Sequence, residues 1–214
     1  LDDRIAFVRG HTTLAPVPLV PELQLHTASE VTPLWRATED WLAARGLDVP
    51  FWSVPWAGGQ ALARWVLDHP EVVRGRRVLD FGAGSGLVAI AAARAGAAAV
   101  RAVDVDPLAQ AACVANARAN ELAIDVACMD LVGEAVAEDV VLAGDVWYER
   151  AAAARFLPWL EGLARAGRRV ITGDPSRAYA PRGRVLGRYA VPTTLDLEST
   201  PVRVTSILEL TAGA

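Results

Sequence analysis

The sequence predicts an α/β fold built on a doubly wound, mostly parallel sheet, and three observations lead to this prediction. Between residues 77 and 173, apolar runs of strand length alternate with Ala-rich runs of helix length. A turn with three closely spaced glycines joins the first strand to its helix. After residue 186, two β-like runs follow with no helix between them. The alternation gives parallel neighbours, and the final two runs give an antiparallel hairpin at the sheet edge.

The individual elements follow from apolar runs and from residues that start or stop helices. The predicted strands are Arg77–Phe81, Ala99–Asp104, Ile124–Cys128, Val140–Ala143, Arg169–Gly173, Gly187–Val191 and Val202–Leu210. The helices predicted between them are Ser85–Ala95, Pro107–Glu121 and Glu149–Arg165, the last bent at Pro158.

The region before these elements is less regular. Thr32 and Pro33 start a predicted helix over 33–45 that Gly46 stops, and a second helix covers about Gln60–His69. Residues 1–31 carry several prolines without a helical period, which predicts an extended arm or an edge hairpin.

Composition excludes several classes of protein. Of the 214 residues, 53% are hydrophobic, but the longest apolar stretch, 87–100, is interrupted by Arg94 and Gly96 and is too short to span a membrane. The first ten residues lack the apolar core of a secretory signal, and the two cysteines have no metal-ligand or disulfide spacing, which favours a cytoplasmic protein. A net charge of −4 without a basic run disfavours a dedicated nucleic-acid binder.

The glycine turn, Gly82-Ala83-Gly84-Ser85-Gly86, stands where open α/β sheets bind their ligands. Glycines there accept positive φ and let the backbone approach a ligand at the helix N-terminus. A dinucleotide fingerprint would need glycine at 87, where the sequence has Leu87. The turn therefore favours a ligand other than NAD.

Acidic residues at three successive strand ends indicate what that ligand carries. Asp80 can lie beside an ammonium group, Asp104 can accept hydrogen bonds from ribose hydroxyls, and Asp130 can accept one from an adenine amino group or act as a turn residue. Asp106 fits a helix start before Pro107 better than a ligand contact. An adenosine with an amino-acid tail, as in S-adenosylmethionine, matches this arrangement.

With VLDFGAGSG, AVDVDP and GDVWY in view, the chain resembles the class I S-adenosylmethionine-dependent methyltransferases. More narrowly, it is similar to the electron transfer flavoprotein β-subunit lysine methyltransferase family, including its bacterial members, from about Pro21 to the C-terminus. The resemblance implies a seven-stranded Rossmann-like sheet and S-adenosylmethionine as cofactor, with S-adenosylhomocysteine as product. It also implies a protein substrate, the flavoprotein β subunit. We expect residues 1–50 to form a substrate-side arm and helix, and 51–214 to form the cofactor-binding domain of one compact unit.

The resemblance also assigns residues on both sides of the site. Trp56, Gly58 and Gly59 match a family segment that lines the cofactor site, although Trp56 could equally be a core aromatic. Asp145 and Tyr148 match a D-x-x-Y element that borders the substrate amine. Two positions depart from the family: Ser176 stands where relatives often have glycine, and SILEL stands where many carry an aromatic residue.

For the chemistry, we expect Asp145 to dock and orient the lysine, since a carboxylate is too weak a base to deprotonate an ammonium group. Trp147 and Tyr148 would exclude water and favour the neutral amine, or would only pack at the strand end. Arg177 and Tyr179 would contact an acidic patch on the substrate or cap their loop.

Three alternatives stay open at this point. The same cofactor half would serve methylation of a small amine or of another protein, such as a ribosomal protein. A non-catalytic binding module would not need the glycine turn together with Asp104 and Asp145. An NAD-dependent oxidoreductase is disfavoured by Leu87 and by the lack of a Tyr and Lys pair, since the chain contains no lysine.

Overall fold

The computed structural model of the chain describes residues 1–28, 44, 49–193 and 200–211. Its strands are β1 Thr13–Val17, β2 Val20–Thr27, β3 Arg77–Phe81, β4 Ala99–Asp104, β5 Asp125–Cys128, β6 Val140–Gly144, β7 Arg169–Asp174, β8 Arg184–Pro192 and β9 Val202–Glu209. Its helices are α1 Asp2–His11, α2 Ala57–Asp68, α3 Leu87–Arg94, α4 Pro107–Ala119 and α5 Arg150–Arg165, with short 3-10 turns at Phe51–Ser53 and Pro70–Val72. No helix in these ranges is long and apolar enough to cross a membrane.

The main sheet has seven strands in the order β5-β4-β3-β6-β7-β9-β8. Strands β3 to β7 are parallel, whereas β9 is antiparallel to both β7 and β8. The doubly wound sheet and its antiparallel C-terminal hairpin are therefore confirmed. Strands β4 and β5 lie on one side of β3, whereas β6 and β7 lie on its other side. The strand order therefore reverses between β3 and β6. A ligand crevice is expected at the carboxyl ends of these two strands.

Alternation along the central strands builds a core on each face of the sheet. Val78 and Val140 pack with α2 and α3 on one face, and Leu79 and Val141 pack with α5 on the other. Each of these four side chains is fully buried. Strands covered on both faces read as mainly apolar runs, and the predicted bounds of β3 are confirmed, as are those of β4.

Residues 2–11 correct the sequence prediction, because they form helix α1 instead of an extended arm. Asp2 and Asp3 in the first turn and Arg9 and His11 in the last complement the helix dipole. Ile5 and Val8 pack against α4. This tertiary contact stabilises a helix whose own amphipathic pattern is weak.

The predicted hairpin is present as β1 and β2, but it forms a separate two-stranded sheet. The outer edge of β2 faces α4, where two asparagine side chains pair with its backbone. Asn120 accepts from Gln24 N at 3.0 Å and donates to Gln24 O at 2.6 Å, and Asn116 accepts from His26 N at 2.7 Å. Side-chain amides thus satisfy an edge that would otherwise be open.

Two upstream helices were also predicted. The predicted helix over 33–45 lies, apart from residue 44, outside the described residues. The helix predicted from Gln60 begins three residues earlier, at Ala57, so that Gly58 and Gly59 lie in its first turn. Glycine is a poor helix former, which hid this start in the sequence.

Candidate active site

A cavity of about 540 Å³ opens at the carboxyl ends of β3, β4 and β6. The glycine turn lies on one side of it, and the segment that follows β6 lies on another. Its volume is within the range of small-molecule sites. The lining residues are Val49, Phe51, Trp52, Trp56, Phe81, Gly82, Gly84, Val103, Asp104, Val105, Asp106, Ala109, Met129, Asp130, Leu131, Gly144, Asp145, Val146, Tyr148, Arg155, Phe156 and Arg177.

The glycine turn has the backbone that its sequence predicts. Gly82, Gly84 and Gly86 have φ values of 65°, 51° and 79°. Gly82 and Gly84 line the cavity, and Ala83 joins them in the wall of an adjoining cavity of about 50 Å³. A Cβ at Gly84 would meet only Trp52 Cα, at 3.8 Å, so the space beside this glycine is open. Gly86 serves packing instead, because a Cβ there would lie 3.2 Å from Cys113 Cα.

Asp80 lies at the end of β3, beneath the turn, and is 1% exposed. Its Oδ2 accepts a hydrogen bond from Ala89 N at 2.9 Å, and the residue borders the smaller cavity. Burial raises the pKa of Asp80 to about 7, and the negative charge of Asp104 adds to this effect. A ligand ammonium would therefore stabilise the ionised form.

Asp104, at the end of β4, lines the main cavity and also holds its walls together. Its Oδ2 accepts from Gly84 N at 2.8 Å, and its Oδ1 accepts from Asp106 N at 3.0 Å. A carboxylate can accept about four hydrogen bonds, so capacity for two ribose hydroxyls is left. Asp106 caps α4 by accepting from Leu108 N at 2.7 Å, as the sequence predicts.

Asp130 forms an ion pair with Arg155, a partner that the sequence did not predict. Arg155, on α5, contacts its Oδ2 at 2.7 Å, and both residues line the cavity. Hydrogen bonds from Arg155 and from Val132 N hold the pKa of Asp130 below its usual value. An adenine group at this end of the cavity would meet an ion pair, not a lone carboxylate.

The Trp56 segment divides between the site and the core. Trp56 lines both cavities and donates from Nε1 to Phe51 O at 2.8 Å, while Gly59 lines the smaller one. Gly58 lines neither; a Cβ on it would lie 2.6 Å from Asp145 N. Its backbone packs against the ends of β6 and β7, and its N–H donates to Asp145 Oδ2 at 2.9 Å.

The D-x-x-Y element places its two named residues at the cavity and sends Trp147 elsewhere. Asp145 and Tyr148 both line the cavity, and burial raises the pKa of Tyr148. Trp147 is fully buried in the core, where its Nε1 donates to Thr172 Oγ1 at 2.8 Å. Trp147 can therefore act on the site only by fixing the backbone on either side of it.

Two further residues lie at the site. Phe51 was not predicted from the sequence, and Arg177 was predicted to contact the substrate or to cap its loop. Phe51 lines the cavity with its ring 5.4 Å from that of Tyr148 and 6.1 Å from that of Trp56. Its position in the aromatic run FWSVPW was a usable signal. Arg177 donates from Nε to Asp145 Oδ1 at 2.9 Å, a pairing across 32 residues that no local pattern marks.

These residues fit an adenosine that carries an amino-acid tail. The open space beside Gly84 admits a ligand close to the backbone, and buried Asp80 offers a partner for an ammonium group. Asp104 offers acceptors for a ribose, and apolar side chains such as Val105 and Met129 offer flat contact for a base. Asp145 and Tyr148 form a second wall of the cavity, at which a reacting partner could bind.

Comparison with known proteins gives extensive matches. The chain is 37% identical to the electron transfer flavoprotein β-subunit lysine methyltransferase of Xenopus laevis over 177 residues, which are 81% of this chain and 70% of that protein. It is 37% identical to the protein of the same name in Homo sapiens over 183 residues, 83% and 68% of the two chains. The profile of the family described as "Ribosomal protein L11 methyltransferase (PrmA)" matches residues 63–144.

Solved structures agree on the fold. The magnesium protoporphyrin IX methyltransferase of Synechocystis with bound S-adenosylmethionine superposes with a TM-score of 0.52 at 21% identity, over 71% of this chain and 76% of that one. The same enzyme with bound S-adenosylhomocysteine gives 0.51 at 18% identity, over 71% and 80%. Since relatives at 37% identity cover most of its length, this chain belongs to the electron transfer flavoprotein β-subunit lysine methyltransferase family and has the class I S-adenosylmethionine-dependent methyltransferase fold.

Proposed function

We propose that this protein transfers the methyl group of S-adenosylmethionine directly to the ε-amine of a lysine in the electron transfer flavoprotein β subunit. The observation that carries the proposal is one cavity with two different walls. One wall has the glycine turn and the acidic strand ends, and the other has Asp145 and Tyr148. Relatives with high identity, named for this reaction, support the choice of substrate.

The cofactor end would be held by groups already in place. Gly82, Ala83 and Gly84 would let the backbone approach the amino-acid tail, while Asp80 would pair with its ammonium. Asp104 would accept from the ribose hydroxyls, and Asp130 with Arg155 would border the adenine. When bound, S-adenosylmethionine supplies a methyl group on a positively charged sulfur, which is already strongly electrophilic.

The main task of the protein would then be alignment and exclusion of water. Holding nitrogen, methyl carbon and sulfur in line removes much of the entropic barrier of a two-body reaction. Phe51, Trp56 and Tyr148 form an aromatic wall that would cover the lysine stem. The nitrogen–carbon bond would form as the carbon–sulfur bond breaks, leaving S-adenosylhomocysteine.

The amine itself must be neutral to react. A lysine with a pKa of ~10.4 is almost fully protonated at pH 7, and its deprotonation costs about 4.6 kcal/mol. Carboxylates are in general far weaker bases than amines, so a base is not the role that we assign to this wall. We assign Asp145 to orienting the amine, with the proton released to water.

A specific observation also favours a second candidate substrate, the ribosomal protein L11. The L11 methyltransferase profile covers 63–144, which includes the glycine turn and the β4 end. The profile stops one residue before Asp145. It therefore supports the proposed cofactor site and gives no information on the wall formed by Asp145 and Tyr148. We therefore rank L11 second and include it in the same experiment.

The test begins with calorimetric titration of the purified protein with S-adenosylmethionine. The same preparation is then incubated with tritiated cofactor and either the intact flavoprotein or purified L11. We expect binding near one equivalent and label on the flavoprotein β subunit, located on a lysine by mass spectrometry. Label on L11 alone would move the assignment to the second candidate, and no binding would remove the cofactor assignment.

Two variants serve as controls. Asp104→Asn keeps the size of the side chain but has only one acceptor oxygen, so binding of the cofactor should weaken about tenfold or more. Asp145→Asn should leave cofactor binding nearly unchanged and lower kcat on the protein substrate. Full kcat and KM in Asp145→Asn would overturn the role given to that residue.

A further inference from the structure

Asp145 is held in place by two hydrogen bonds, one to each carboxylate oxygen. Gly58 N, in the first turn of α2, donates to Oδ2 at 2.9 Å, and Arg177 Nε donates to Oδ1 at 2.9 Å. The Asp145 side chain is 4% exposed. A carboxylate this buried needs such compensation, and here it comes from a helix N-terminus and a guanidinium group.

Arg177 is delivered to Asp145 by a turn that follows β7. Asp174 Oδ1 accepts from Arg177 N at 2.9 Å, and Ser176 between them has φ of 67°. Asp174 is 1% exposed, and its Oδ2 has no hydrogen-bond partner. Keeping a buried carboxylate and a left-handed serine in one turn costs stability, and the turn fixes the backbone from which the arginine reaches Asp145.

The charge of this pair bears on the protonation of the substrate. A lone carboxylate beside an amine stabilises the ammonium form, which cannot attack the methyl carbon. A guanidinium bonded to that carboxylate cancels most of its field at the position of the amine. Arg177 cannot itself lose its proton at any pH the enzyme meets, so the compensation is permanent.

We propose that Arg177 is a positioning residue that neutralises Asp145, so that a lysine amine entering the cavity meets an oriented acceptor without a net negative charge. This inference rests on the proposed lysine methylation. The lysine enters as an ammonium, gives its proton to water, and keeps the electron pair that forms the nitrogen–carbon bond. Asp145 accepts no proton in this sequence and Arg177 donates none.

Other charged and titratable groups lie around the wall that Asp145 and Tyr148 form. Among the described residues, the remaining charged side chains that line the cavity are Asp104, Asp106, Asp130 and Arg155. Asp174 also acts on Asp145 by charge, and partial burial raises the pKa of the Tyr148 hydroxyl above its ordinary value. Of these groups, Asp174 also responds to the replacement, because the charge of Arg177 lowers its pKa and loss of that charge raises it.

The test measures kcat against pH for wild-type protein and variants, with whichever of the flavoprotein and L11 accepts the methyl group. The kcat profile reports ionisations in the enzyme–substrate complex, including that of the bound lysine. In Arg177→Gln, the rising limb should move to higher pH by about one unit or more. Arg177→Lys, which keeps the positive charge, should stay close to the wild-type profile.

A double variant separates charge from structure. In Asp145→Asn with Arg177→Gln, both charges are gone, so the rising limb should return toward its wild-type position even if kcat is low. This comparison holds even if Arg177→Gln alone fails to fold. The proposal is contradicted if the rising limb of the double variant lies at a pH as high as that of Arg177→Gln. If the single variant cannot be purified, a rising limb one pH unit above that of wild-type protein contradicts it.

A second readout does not depend on turnover. Calorimetry of substrate binding with S-adenosylhomocysteine, in two buffers of different ionisation enthalpy, counts the protons released. We expect wild-type protein to release more protons than Arg177→Gln at pH 8. Equal release together with superimposable pH profiles would overturn the inference and leave lysine methylation intact, whereas no methyl transfer by wild-type protein to either substrate would overturn both.

Discussion

Two residues on the Asp145 side of the cavity lie in the left-handed region of backbone space. Asp145 has φ of 58° and Ser176 has φ of 67°. Asp and Asn enter this region more readily than most residues, because their short polar side chains bond locally, whereas Ser gains less. The strain at Ser176 gives a physical reason to expect glycine to be better suited to this position.

Replacing Ser176 with glycine should therefore stabilise the protein. Relief of the left-handed strain exceeds the extra chain entropy of glycine only slightly, so the free energy of unfolding should rise by up to about 1 kcal/mol. Chemical denaturation of Ser176→Gly measures the change, with Ser176→Ala as the matched control expected to show no gain. Equal stabilisation by both substitutions would point to the side chain instead of the backbone.

Asp80 yields a prediction on how cofactor binding depends on pH. Because burial raises the pKa of Asp80 to about 7, its carboxyl group takes up a proton between pH 7.5 and 6. If the ionised form pairs with the cofactor ammonium, affinity should fall severalfold, up to about tenfold, over this interval. Titration calorimetry of wild-type protein and Asp80→Asn tests this, since the variant should bind more weakly with a flat profile. Parallel profiles would remove Asp80 from the binding site.

At this scale, the sequence predicted acidic groups better than their partners. Asp80 and Asp104 could be placed because a strand end and a glycine turn fix their positions locally. The bond from Arg177 to Asp145 joins residues 32 apart in sequence, and that from Gly58 to Asp145 joins residues 87 apart. Such pairs depend on how β6, β7 and α2 meet, which no local pattern contains.

Between elements, the closest packing in this site occurs where α2 crosses the ends of β6 and β7. A Cβ at Gly144 would lie 2.8 Å from Gly59 Cα, and one at Gly173 would lie 2.9 Å from Leu62 Cβ and closer still to Gly58 O. The absence of a side chain at Gly58, Gly144 and Gly173 thus lets a helix N-terminus and two strand ends touch backbone to backbone. This contact brings the Gly58 amide within reach of Asp145.

The two glycines of α2 should respond oppositely to alanine. In Gly58→Ala the added methyl meets backbone atoms of Asp145 and Gly173, which cannot move aside, so destabilisation of about 1–3 kcal/mol or more is expected. In Gly59→Ala nothing lies within 4 Å of the methyl, and the better helix propensity of alanine should raise stability by about 1 kcal/mol. Thermal unfolding without cofactor compares the two variants. A similar loss of stability in both would contradict the close contact of Gly58 with Asp145 and Gly173.

Among the strands, the bounds of two central ones were predicted best. β3 and β4 match their predictions residue for residue, and β7 and β9 differ by one residue at one end. The start of α2 was missed because Gly58 allows a tertiary contact with β6 and β7 that the sequence does not reveal. α1 was missed because its charged sequence becomes helical only against α4.

Over the whole molecule, buried and exposed acids pull the pH dependence of stability in opposite directions. Burial raises the pKa of Asp80 to about 7 and that of Asp174 to about 6. Between pH 4 and 7 the folded protein thus binds more protons at these sites than the unfolded chain, so they make stability fall as pH rises. Asp130 and Asp139, whose pKa values are lowered by arginine partners, make stability fall as pH drops below about 4.

We therefore expect the cofactor-free protein to be most stable near pH 5 and less stable at pH 8. Thermal melts across this range, at constant ionic strength, measure the trend. Asp174→Asn removes one of the two acids with a raised pKa, so its melting temperature should vary less between pH 5 and 8 than that of wild-type protein. A wild-type protein more stable at pH 8 than at pH 5 would contradict the assignment of both raised pKa values.

The link between the N-terminal hairpin and α4 sets a limit on how the chain can be shortened. Asn116, fully buried, accepts from His26 N and donates to Ser85 O at 2.8 Å, so one side chain joins β2 to the glycine turn. A fragment that starts at residue 51 would retain every predicted cofactor ligand and lose the partner that orients this amide. We therefore expect a fragment that begins before the hairpin to be more stable than one that begins at residue 51.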